Sequence, residues 1–322
     1  MIVITGGAGF IGSTFAKTFI GEDLIIIDTF NDIEQKIYLN EISGTRLVNL
    51  NECKSTLNYF KNDIKYFYHL GANSSTEQTV LSEAINSNIF WSQYFWDFCL
   101  NNKIPFMYAS SAATYGDGSK GFSDSMTLDE LKNIKIHNIY GWSKMYFDIF
   151  ALSQQKIGKC PPVWHGLKFF NVYGINEFHK KKQSSVVHPF LMQLKSTGKI
   201  KLFKSLNKNF LDGEQQRDFV SVNFCVEFMK NIQKLKIDNG LLNVGTGHPK
   251  TFITFANDIM RACQKEGKIH FIDMPQNLQK HYQYFTKSEN IKTSQIHQLM
   301  ANFSYTEDLK QIVEGISFKT DA

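Results

Sequence analysis

The chain lacks long uninterrupted apolar stretches. No segment of its 322 residues approaches the run of about 20 apolar residues that a membrane-spanning helix needs, although 43% of the residues are hydrophobic and 14% are aromatic. We therefore expect a well-filled interior and no membrane span. No basic segment followed by an apolar one precedes the first strand-like run, which predicts a protein that stays in the cytoplasm.

Paired cysteines are also absent. The five cysteines are an odd number, widely scattered and without a CxxC pair, and no histidine stands at metal spacing from them. This pattern predicts reduced thiols in the core and no metal site.

The chain has little net charge. It carries 35 lysines and arginines against 30 aspartates and glutamates, a net charge of +5, and the lysines are dispersed except at positions 180–182. Such a distribution is not that of a nucleic-acid-binding protein. We expect anionic small molecules as ligands and no nucleic-acid partner.

A glycine-rich turn follows the first strand-like run. The apolar run Ile2 to Thr5 precedes Gly6, Gly9 and Gly12, and a helical pattern comes next. Glycines there allow a tight turn and a close approach of the backbone to a pyrophosphate, which the amino terminus of the helix attracts. A second apolar run ends in Asp28, about 20 residues on, where a ribose-binding carboxylate is expected. The combination favours a dinucleotide site over an ordinary strand-to-helix turn.

Strand-like runs alternate with helix-length amphipathic segments. This alternation predicts an α/β fold, a Rossmann-like doubly wound parallel sheet with a smaller α/β substrate-binding lobe. We place the dinucleotide-binding domain at residues 1–170, with its core completed by segments near 217–247, and the lobe largely at 171–322. The predicted strands are 2–5, 24–28, 65–70, 105–109, 163–170, 198–203, 216–220, 241–244 and 269–273.

The sequence Tyr140-Gly-Trp-Ser-Lys144 places a phenol and an amine one turn apart on the helix predicted for residues 138–155. A tyrosine titrates near ~10 and is a poor base at neutral pH, but an adjacent cation stabilises its phenolate. We therefore predict that Lys144 lowers the pKa of Tyr140 and that the pair removes the proton of a substrate hydroxyl. Taken alone, this short motif could mark an ordinary helix.

A third motif stands at the end of the predicted strand 105–109, in Ala109-Ser-Ser-Ala-Ala-Thr-Tyr-Gly116. Ligands of open parallel sheets bind beyond the carboxyl ends of the strands, so a hydroxyl there can hydrogen-bond a substrate alcohol. We select Ser111, although serines at strand ends are more often turn formers.

These three motifs follow one another along the chain as glycine-rich turn, serine strand end and Tyr140-Gly-Trp-Ser-Lys144. In that order they resemble the extended short-chain dehydrogenase/reductase superfamily, which includes the NAD-dependent epimerases and dehydratases. The resemblance spans essentially the whole chain and implies nicotinamide chemistry on an alcohol, with Ser111, Tyr140 and Lys144 as the catalytic set. Dehydratases of this superfamily carry an Asp-Glu pair where this chain has Ala112-Ala113. Dehydration therefore loses its acid and base, and epimerisation is favoured.

Further motifs resemble the ADP-L-glycero-D-manno-heptose 6-epimerase family. The resemblance implies an isomerase that inverts C6 of ADP-D-glycero-D-manno-heptose, for lipopolysaccharide core biosynthesis, through a 6-keto intermediate and a tightly bound cofactor. It also implies a homo-oligomer, often a pentamer. The motifs are Gly71-Ala-Asn-Ser-Ser-Thr-Glu77, Lys168-Phe-Phe-Asn-Val-Tyr-Gly174, Glu177-Phe-His-Lys180, Arg217-Asp-Phe-Val220, Asn243-Val-Gly-Thr-Gly247 and Tyr282-Gln-Tyr-Phe-Thr286.

In that family the lysine matching Lys180 is a second acid/base. Inversion calls for one, because a ketone reduced on its other face leaves an alkoxide that points away from Tyr140. A lysine can act there if burial or neighbouring cations lower its pKa from ~10.4. Without the resemblance, the three lysines would indicate a solvated basic loop or a diphosphate clamp.

The resemblance also implies binding residues, each of which could instead serve packing or the fold. Lys182 stands where the family commonly has a serine, and the segment 206–216 is longer than expected, so we expect the nucleotide pocket to differ. Cofactor contacts are implied for Gly6, Gly9, Phe10, Ile11, Gly12, Asp28, Thr29, Lys36, Lys54, Leu70, Gly71, Ala72, Asn73, Ser74, Asn88, Lys144, Val172 and Lys180. Substrate contacts are implied for Ser111, Asn171, Lys182, Phe203, Lys204, Ser205, Arg217 and Tyr282.

Two features oppose each other in the choice of cofactor. Asp28 should accept the ribose hydroxyls of NAD and repel a 2′-phosphate, whereas Lys36 and Lys54 occupy suitable places to neutralise that phosphate. Because the family generally uses NADP, the resemblance favours NADP, with NAD as the alternative.

Two other functions stay open at the level of sequence. One is epimerisation or reduction of a different nucleotide sugar, such as 4-epimerisation of a UDP-hexose, and the other is a non-catalytic NAD(P)-binding sensor. The aromatic residues at 90, 91, 94, 95 and 98 have helical spacing. We expect them to be mainly core, with part of the row at a subunit interface.

Overall fold

The computed structural model describes residues 1–30, 39, 42, 44–74, 80–177, 184–279 and 282–320. Its strands, in chain order, are β1 (Ile2–Thr5), β2 (Leu24–Asp28), β3 (Thr45–Asn49), β4 (Tyr66–His69), β5 (Phe106–Ser111), β6 (Trp164–Phe169), β7 (Asn171–Tyr173), β8 (Lys199–Phe203), β9 (Gln216–Arg217), β10 (Phe219–Ser221), β11 (Gly240–Val244), β12 (Lys250–Thr251) and β13 (Lys268–Ile272).

Seven of these strands form one sheet in the order β11-β6-β5-β4-β1-β2-β3, and every neighbouring pair is parallel. Parallel strands need crossover connections, and helices from these connections cover both faces of the sheet. The α/β, Rossmann-like doubly wound fold predicted from the sequence is therefore confirmed.

The helices connect and cover these strands. Among those described, none combines the length and apolarity needed to cross a membrane. The α-helices are Phe10–Ala16, Cys53–Phe60, Leu81–Ala84, Trp91–Asn102, Leu128–Lys132, Ile139–Lys156, Val187–Thr197, Val222–Ile232, Phe252–Ala262, Gln276–Gln279, Ser294–Leu299 and Tyr305–Thr320; 3-10 helices lie at Lys17–Phe19, Leu50–Glu52 and Ala112–Tyr115, and a π-helix at Ile85–Phe90.

Alternate residues of the central strands pack into two different cores. Ile4 and Ile26 belong to one apolar cluster, and Val3 and Ile25 belong to the cluster on the other face; all four are fully buried. A strand covered on both faces is apolar at most of its positions, as β1 and β2 are before their last residues, Thr5 and Asp28. A third cluster, around Phe255, lies among the elements that follow residue 170.

The predicted aromatic row enters the second of these cores. Trp91, Phe95 and Phe98 are buried there, whereas Phe90 is 48% exposed. The row is therefore mainly core, as predicted, and Phe90 is the member that faces outward.

Three small sheets accompany the main one. β7 pairs with β10, β9 with β12 and β8 with β13. The prediction of a single strand at 216–220 is wrong, because this segment divides at Asp218 into β9 and β10, which belong to different sheets. The Asp218 carboxylate accepts hydrogen bonds from the backbone N–H groups of Thr246, Gly247 and Ser288, and these bonds hold the chain at the break.

The main sheet also contains two strands that bear on the predicted organisation. β3 is an edge strand with a polar and exposed composition, and the sequence analysis did not predict it. β11, far along the chain, pairs with β6 and completes the other edge. The proposed boundary at residue 170 stays a prediction.

Candidate active site

Four adjacent strands bring the predicted motifs to one edge of the sheet. The glycine-rich turn follows β1, Asp28 ends β2, Gly71 lies two residues beyond β4, and Ser111 ends β5. Because these strands are parallel neighbours, their carboxyl ends meet at the same edge, where open α/β sheets bind ligands. The glycine-rich turn, Asp28, Gly71 and Ser111, predicted from separate parts of the chain, therefore converge.

The glycine turn and the loop after β4 touch each other through backbone atoms. Gly6 has a positive φ of 67°, and a Cβ built on it would lie 2.4 Å from the Cα atom of Gly71. A Cβ on Gly12 would lie 2.0 Å from the Gly6 carbonyl oxygen. Neither position tolerates a side chain, so the two glycines allow the first helix to pack tightly against the turn.

Gly9 has a different role in the same turn. It caps the helix Phe10–Ala16 without a side-chain hydrogen bond, and a Cβ on it would meet only the Gly6 carbonyl oxygen, at 3.2 Å. The open face at the start of this helix, with its orphan backbone N–H groups, fits a phosphate. Phe10 is buried and Ile11 is half-buried on the helix that follows. The turn thus suits the pyrophosphate of a dinucleotide.

Asp28 is bonded to the backbone of this turn. One carboxylate oxygen accepts a hydrogen bond from the N–H of Ala8 at 3.0 Å, and the other accepts one from the N–H of Thr29 at 2.8 Å. Burial raises the pKa of Asp28, and these two bonds oppose the rise. The predicted ribose partner therefore already helps to shape the turn, beside the exposed Thr29.

Asn88 holds the loop after β4. The Asn88 side chain is 1% exposed; its oxygen accepts from the N–H of Asn73 at 2.8 Å, and its amide donates to the Asn73 carbonyl at 3.0 Å. Leu70 and Gly71 are half-buried, whereas Ala72 and Ser74 are exposed at the edge of the sheet. All polar atoms of the Asn88 side chain are bonded to protein, so it supports the predicted cofactor loop from beneath.

A chain of hydrogen bonds runs from the glycine turn to Asn88 through a buried histidine. The Ser92 hydroxyl donates its proton to the Asn88 carbonyl at 2.7 Å, so it accepts from Nε2 of His69 at 2.8 Å. In a neutral ring Nδ1 of His69 then accepts from the Thr5 hydroxyl at 2.6 Å, and the Thr5 oxygen also accepts from the N–H of Gly71 at 3.3 Å. Burial, and secondarily the charge of Lys144, lower the pKa of His69 to about 3, so the ring is neutral.

Tyr140 and Ser111 lie together on the wall of one cavity. Asn138 caps the helix Ile139–Lys156, here called the Tyr140 helix, by accepting from the N–H of Gly141 at 2.7 Å. Burial raises the pKa of Tyr140, and the hydrogen bond to Ser111 opposes that rise. The net direction is opposite to the predicted lowering, because the phenol loses more solvation than the bond returns.

Lys144 lies on the same face of this helix. Its ammonium donates to the Ala109 carbonyl on β5 at 2.8 Å, and the side chain is 4% exposed. Burial lowers the pKa of Lys144 to about 8, against the opposing effect of Asp148. The motif thus provides a tyrosine paired with a serine and, one turn away, a lysine that titrates near neutrality.

A cavity of about 590 Å³ lies beside Ser111 and Tyr140. Three predicted substrate-binding residues, Ser111, Asn171 and Tyr282, line it. The Thr286 hydroxyl, also in the lining, donates to the Asn171 side chain at 3.1 Å. A larger cavity of about 860 Å³ lies at the amino ends of the strands, and its lining includes none of the predicted site residues. The smaller cavity is therefore the candidate substrate site.

Arg217 lies behind Tyr282 with an unusual set of contacts. Its side chain is 8% exposed, and its guanidinium carbon lies 5.2 Å from the Tyr282 ring centre and 5.7 Å from that of Phe252. One guanidinium nitrogen donates to the Gln216 carbonyl at 2.9 Å. Across the described residues no carboxylate lies within ion-pair distance of it. A buried cation held by aromatic rings fits an anionic ligand group.

Three other predicted substrate residues lie outside the cavity lining. The Phe203 ring centre is 6.4 Å from that of Tyr282. The Lys204 side chain is 48% exposed, and its ammonium pairs with Asp273 at 2.9 Å. The Ser205 hydroxyl donates to the Asn207 carbonyl at 2.9 Å. Phe203 and Ser205 of this group reach the cavity wall through Tyr282 and Asn207.

Lys54 and Val172 are the remaining predicted cofactor residues among those that the structure describes. The Lys54 ammonium lies over the rings of Phe90, Trp91 and Tyr94, 4.8 Å from the nearest centre. Val172 is half-buried on β7. Lys36, Lys180 and Lys182 lie outside the described residues.

The sequence analysis missed several residues of the cavity wall. Phe210 stacks obliquely with Tyr284 at 5.5 Å between ring centres, and the N–H of Leu206 donates to the Tyr284 hydroxyl at 3.2 Å. The segment 206–216, which is longer than the resemblance leads us to expect, thus packs against the wall through Leu206 and Phe210. The only sequence signal was Phe210 within a polar stretch. The lining residues that lie outside every motif quoted from the sequence are Asp117, His137, Asn138, Asn207 and Phe210.

Comparisons with known proteins agree with this geometry. A model of the NAD dependent epimerase/dehydratase family matches residues 2–245. The ADP-L-glycero-D-manno-heptose-6-epimerase of Fusobacterium nucleatum subsp. nucleatum is 36% identical over 337 residues, covering 100% of this chain and 99% of that protein. The crystal structure of the Helicobacter pylori ADP-L-glycero-D-manno-heptose-6-epimerase has a TM-score of 0.80 at 25% identity, covering 98% and 96% of the two chains. The UDP-glucuronic acid 4-epimerase of Bacillus cereus in complex with NAD has a TM-score of 0.77 at 19% identity, covers 98% of each chain, and shows the fold alone.

Proposed function

Because this chain belongs to the NAD dependent epimerase/dehydratase family and, within it, to the ADP-L-glycero-D-manno-heptose-6-epimerases, we propose that it converts ADP-D-glycero-D-manno-heptose to ADP-L-glycero-D-manno-heptose by inverting C6. The observation that carries the chemistry is the placement of Ser111 and Tyr140 together on the wall of a cavity, with Lys144 one turn away on the helix of Tyr140. Such a pair can receive the proton of a sugar hydroxyl.

The residues of the chain divide the work of the first step. Ser111 orients the C6 hydroxyl, and the Tyr140 phenolate takes its proton. Lys144 supplies positive charge that favours the phenolate. The chemistry supplied by a bound nicotinamide is reversible hydride transfer at C6. The alcohol thus loses one proton and one hydride to become a ketone, and return of both leaves no net oxidation.

Inversion requires that the ketone be reduced on its other face. The new alkoxide then needs a proton from a group on the opposite side, and Lys180 is our proposed donor. This assignment rests on the stereochemical requirement and on the resemblance of Glu177-Phe-His-Lys180 to the family motif. Under this proposal either group alone retains one direction of proton transfer.

The ADP end of the substrate is proposed to reach Arg217. A guanidinium that is buried, lacks a carboxylate among the described residues and rests on aromatic rings can bind a diphosphate without first breaking an ion pair. Tyr282 lines the cavity and contacts Arg217, so it lies between the sugar and diphosphate regions.

We propose NADP as the cofactor, with NAD as the alternative. Both carboxylate oxygens of Asp28 already accept hydrogen bonds from backbone N–H groups. These bonds partly offset the negative charge that would repel a 2′-phosphate. Lys36 and Lys54 are the proposed phosphate partners. Release of the nucleotide bound to the purified protein, followed by mass determination, distinguishes the two because only NADP carries the additional phosphate.

We also propose that the protein is cytoplasmic and forms a homo-oligomer. Two neighbouring segments expose apolar side chains, with Leu81 and Ile85 on one and Trp142 and Tyr146 on the Tyr140 helix, each 40 to 48% exposed. Four half-exposed apolar side chains on two neighbouring segments suit an interface between subunits. A monomer in sedimentation velocity would contradict this part of the proposal.

The central test uses a panel of ADP-heptoses and UDP-hexoses, with NMR reporting which carbon is inverted. We expect inversion only at C6 of the ADP-heptose. Tyr140→Phe should lose about 10²-fold or more of kcat, as removal of a general base does, and Tyr140→Phe with Lys180→Ala should reach background. Inversion of C4 of a UDP-hexose instead would contradict the proposed substrate, and full biological output from Tyr140→Phe would point to a non-catalytic sensor.

A further inference from the structure

A buried carboxylate lies under the Tyr140–Lys144 pair. Tyr140, Lys144 and Asp148 are spaced by four residues on the Tyr140 helix, so they share one face. The Asp148 side chain is fully buried, and its oxygens accept hydrogen bonds from the hydroxyls of Tyr108 and Ser110, each at 2.8 Å. Asp148 thus joins this helix to β5, the strand that ends at Ser111.

A buried lysine from the next strand faces this carboxylate. Lys168 on β6 is the register partner of Ser110 on β5, is 1% exposed, and has its ammonium 3.4 Å from Asp148 Oδ2. The same ammonium donates to the Thr114 hydroxyl at 2.7 Å and lies 4.2 Å from the centre of the Tyr115 ring. Stability alone is a weak reason for such a pair, because apolar residues of the same volume often stabilise a core equally well.

The pair is connected to Ser111 through Thr114. The Thr114 hydroxyl, which accepts from Lys168, donates to the Ser111 carbonyl at 2.7 Å. Lys168 therefore fixes the 3-10 turn Ala112–Tyr115 that follows Ser111. One ion pair consequently determines the position of both Ser111 and the helix that carries Tyr140.

The charge of Asp148 also reaches the reacting groups. Asp148 raises the pKa of Tyr140 and that of Lys144, because a nearby anion disfavours the phenolate and favours the ammonium. Without a counter-charge, Asp148 would therefore oppose formation of the base.

The other titratable groups that face this cluster carry no charge near neutrality. His69 on β4 is neutral, and burial raises the pKa of Tyr108 on β5 and of Tyr115 in the 3-10 turn. Three more distant charges affect pKa values within the cluster. Lys292 lowers the pKa of Lys168, and Asp124 and Glu289 raise the pKa of Tyr115. The local balance is thus one carboxylate against two ammonium groups.

We propose that Lys168 is a positioning residue for proton transfer at Tyr140: it neutralises Asp148, so that this carboxylate anchors the strand of Ser111 to the Tyr140 helix while Lys144 remains the uncompensated charge beside the phenol. The proposal rests on the proposed role of Tyr140 as the base and is independent of which sugar is bound.

The test compares Lys168→Met, Lys168→Arg and the double variant Asp148→Asn with Lys168→Met, which removes both charges together. The midpoint of phenolate formation at Tyr140 is measured by absorbance, as each protein minus the same protein with Tyr140→Phe. kcat and KM are measured across the same pH range, and thermal unfolding identifies any variant that is not folded.

In Lys168→Met the Tyr140 midpoint should rise by about one unit, which lowers the phenolate fraction, and with it kcat at neutral pH, about tenfold. KM should change little, and kcat should recover as the pH is raised. Lys168→Arg should behave like the unmodified protein, and the double variant should regain most of the lost kcat at neutral pH.

A purely structural role predicts a different pattern. An unchanged Tyr140 midpoint, a loss of kcat that is equal at every pH, or a double variant no better than Lys168→Met would each overturn the proposal. The absorbance titration needs no substrate, so it gives its result even if the proposed heptose is not turned over.

Discussion

The Asn88 side-chain amide donates a hydrogen bond to the Ser143 hydroxyl at 2.9 Å and thereby joins the π-helix Ile85–Phe90 to the Tyr140 helix. The Ser143 hydroxyl in turn donates to the Tyr140 carbonyl at 2.8 Å. Because Asn88 also holds Asn73, one buried side chain links the loop predicted to contact the cofactor with the backbone that carries the base. π-helical turns are often found at such functional positions.

Replacement of this amide should loosen both partners. We expect Asn88→Ala to lower the free energy of unfolding by about 2–4 kcal/mol, because buried groups of Asn73 and Ser143 lose their bonds, and to shorten nucleotide retention during gel filtration. Asn102→Ala is the matched control, since that amide bonds only the Phe98 carbonyl. Equal nucleotide retention in the two variants would contradict the linking role.

The lowered pKa of Lys144 makes stability depend on pH. Burial lowers this pKa from 10.5 to about 8, so between these values the unfolded chain binds more protons than the folded one and stability rises with pH. The full difference is on the order of 3 kcal/mol. The excess stability of the unmodified protein over Lys144→Met should therefore increase from about pH 7 to about pH 10 in urea unfolding. A constant difference would mean that Lys144 titrates at its ordinary value.

The glycine turn offers two substitutions that separate packing from binding. A Cβ at Gly12 would collide with the Gly6 carbonyl oxygen at 2.0 Å, whereas Gly9 has negative φ and a Cβ on it would meet that oxygen at 3.2 Å, a close contact that a small backbone shift relieves. We expect Gly12→Ala to lower both the unfolding free energy and nucleotide affinity. Gly9→Ala should leave stability within about 1 kcal/mol and weaken nucleotide binding about tenfold or more. Tight nucleotide binding by Gly9→Ala would show that the phosphate does not occupy that side of the turn.

The contacts of Arg217 predict a binding defect rather than a chemical one. Arg217→Lys loses the planar fork that grips a diphosphate and its stacking on Tyr282, so KM for the ADP sugar should rise about tenfold or more while kcat changes less. Arg261→Lys is the control, because Arg261 is 76% exposed and pairs with Asp258 at the surface. An equal effect of both changes, or a loss confined to kcat, would remove Arg217 from the diphosphate site.

The main sheet was predictable because its strands are apolar on both faces. β1 and β2 have the predicted bounds, and the Tyr140 helix differs from its prediction by one residue at each end. β3 escaped prediction because an edge strand is only half-buried and needs no apolar run. The break at Asp218 depends on hydrogen bonds that its carboxylate accepts from the backbone N–H groups of Thr246 and Ser288. Both donors are distant from Asp218 in the sequence.

The motifs at the ends of strands were likewise predictable, because parallel topology brings them together whatever lies between them. The direction of the Tyr140 pKa was not, since it depends on how much solvent the folded chain removes. Nor did spacing reveal Lys168 as the partner of Asp148, because their contact crosses from a helix to a strand 20 residues on. The catalytic roles of Ser111, Tyr140, Lys144 and Lys180 all stay predictions.

The position of β11 limits how this protein can be divided. β11 covers the outer edge of β6, yet 70 residues separate the end of β6 from its start, and β7 to β10 in that interval belong to other sheets. A fragment ending at residue 170 would keep the pairing of β6 with β5 but would leave the N–H and C=O groups on the outer side of β6 unpaired and open to aggregation. A recombinant that grafted the second half of a relative onto this chain would import a foreign edge strand along with new specificity, so the two halves cannot be exchanged as independent cassettes.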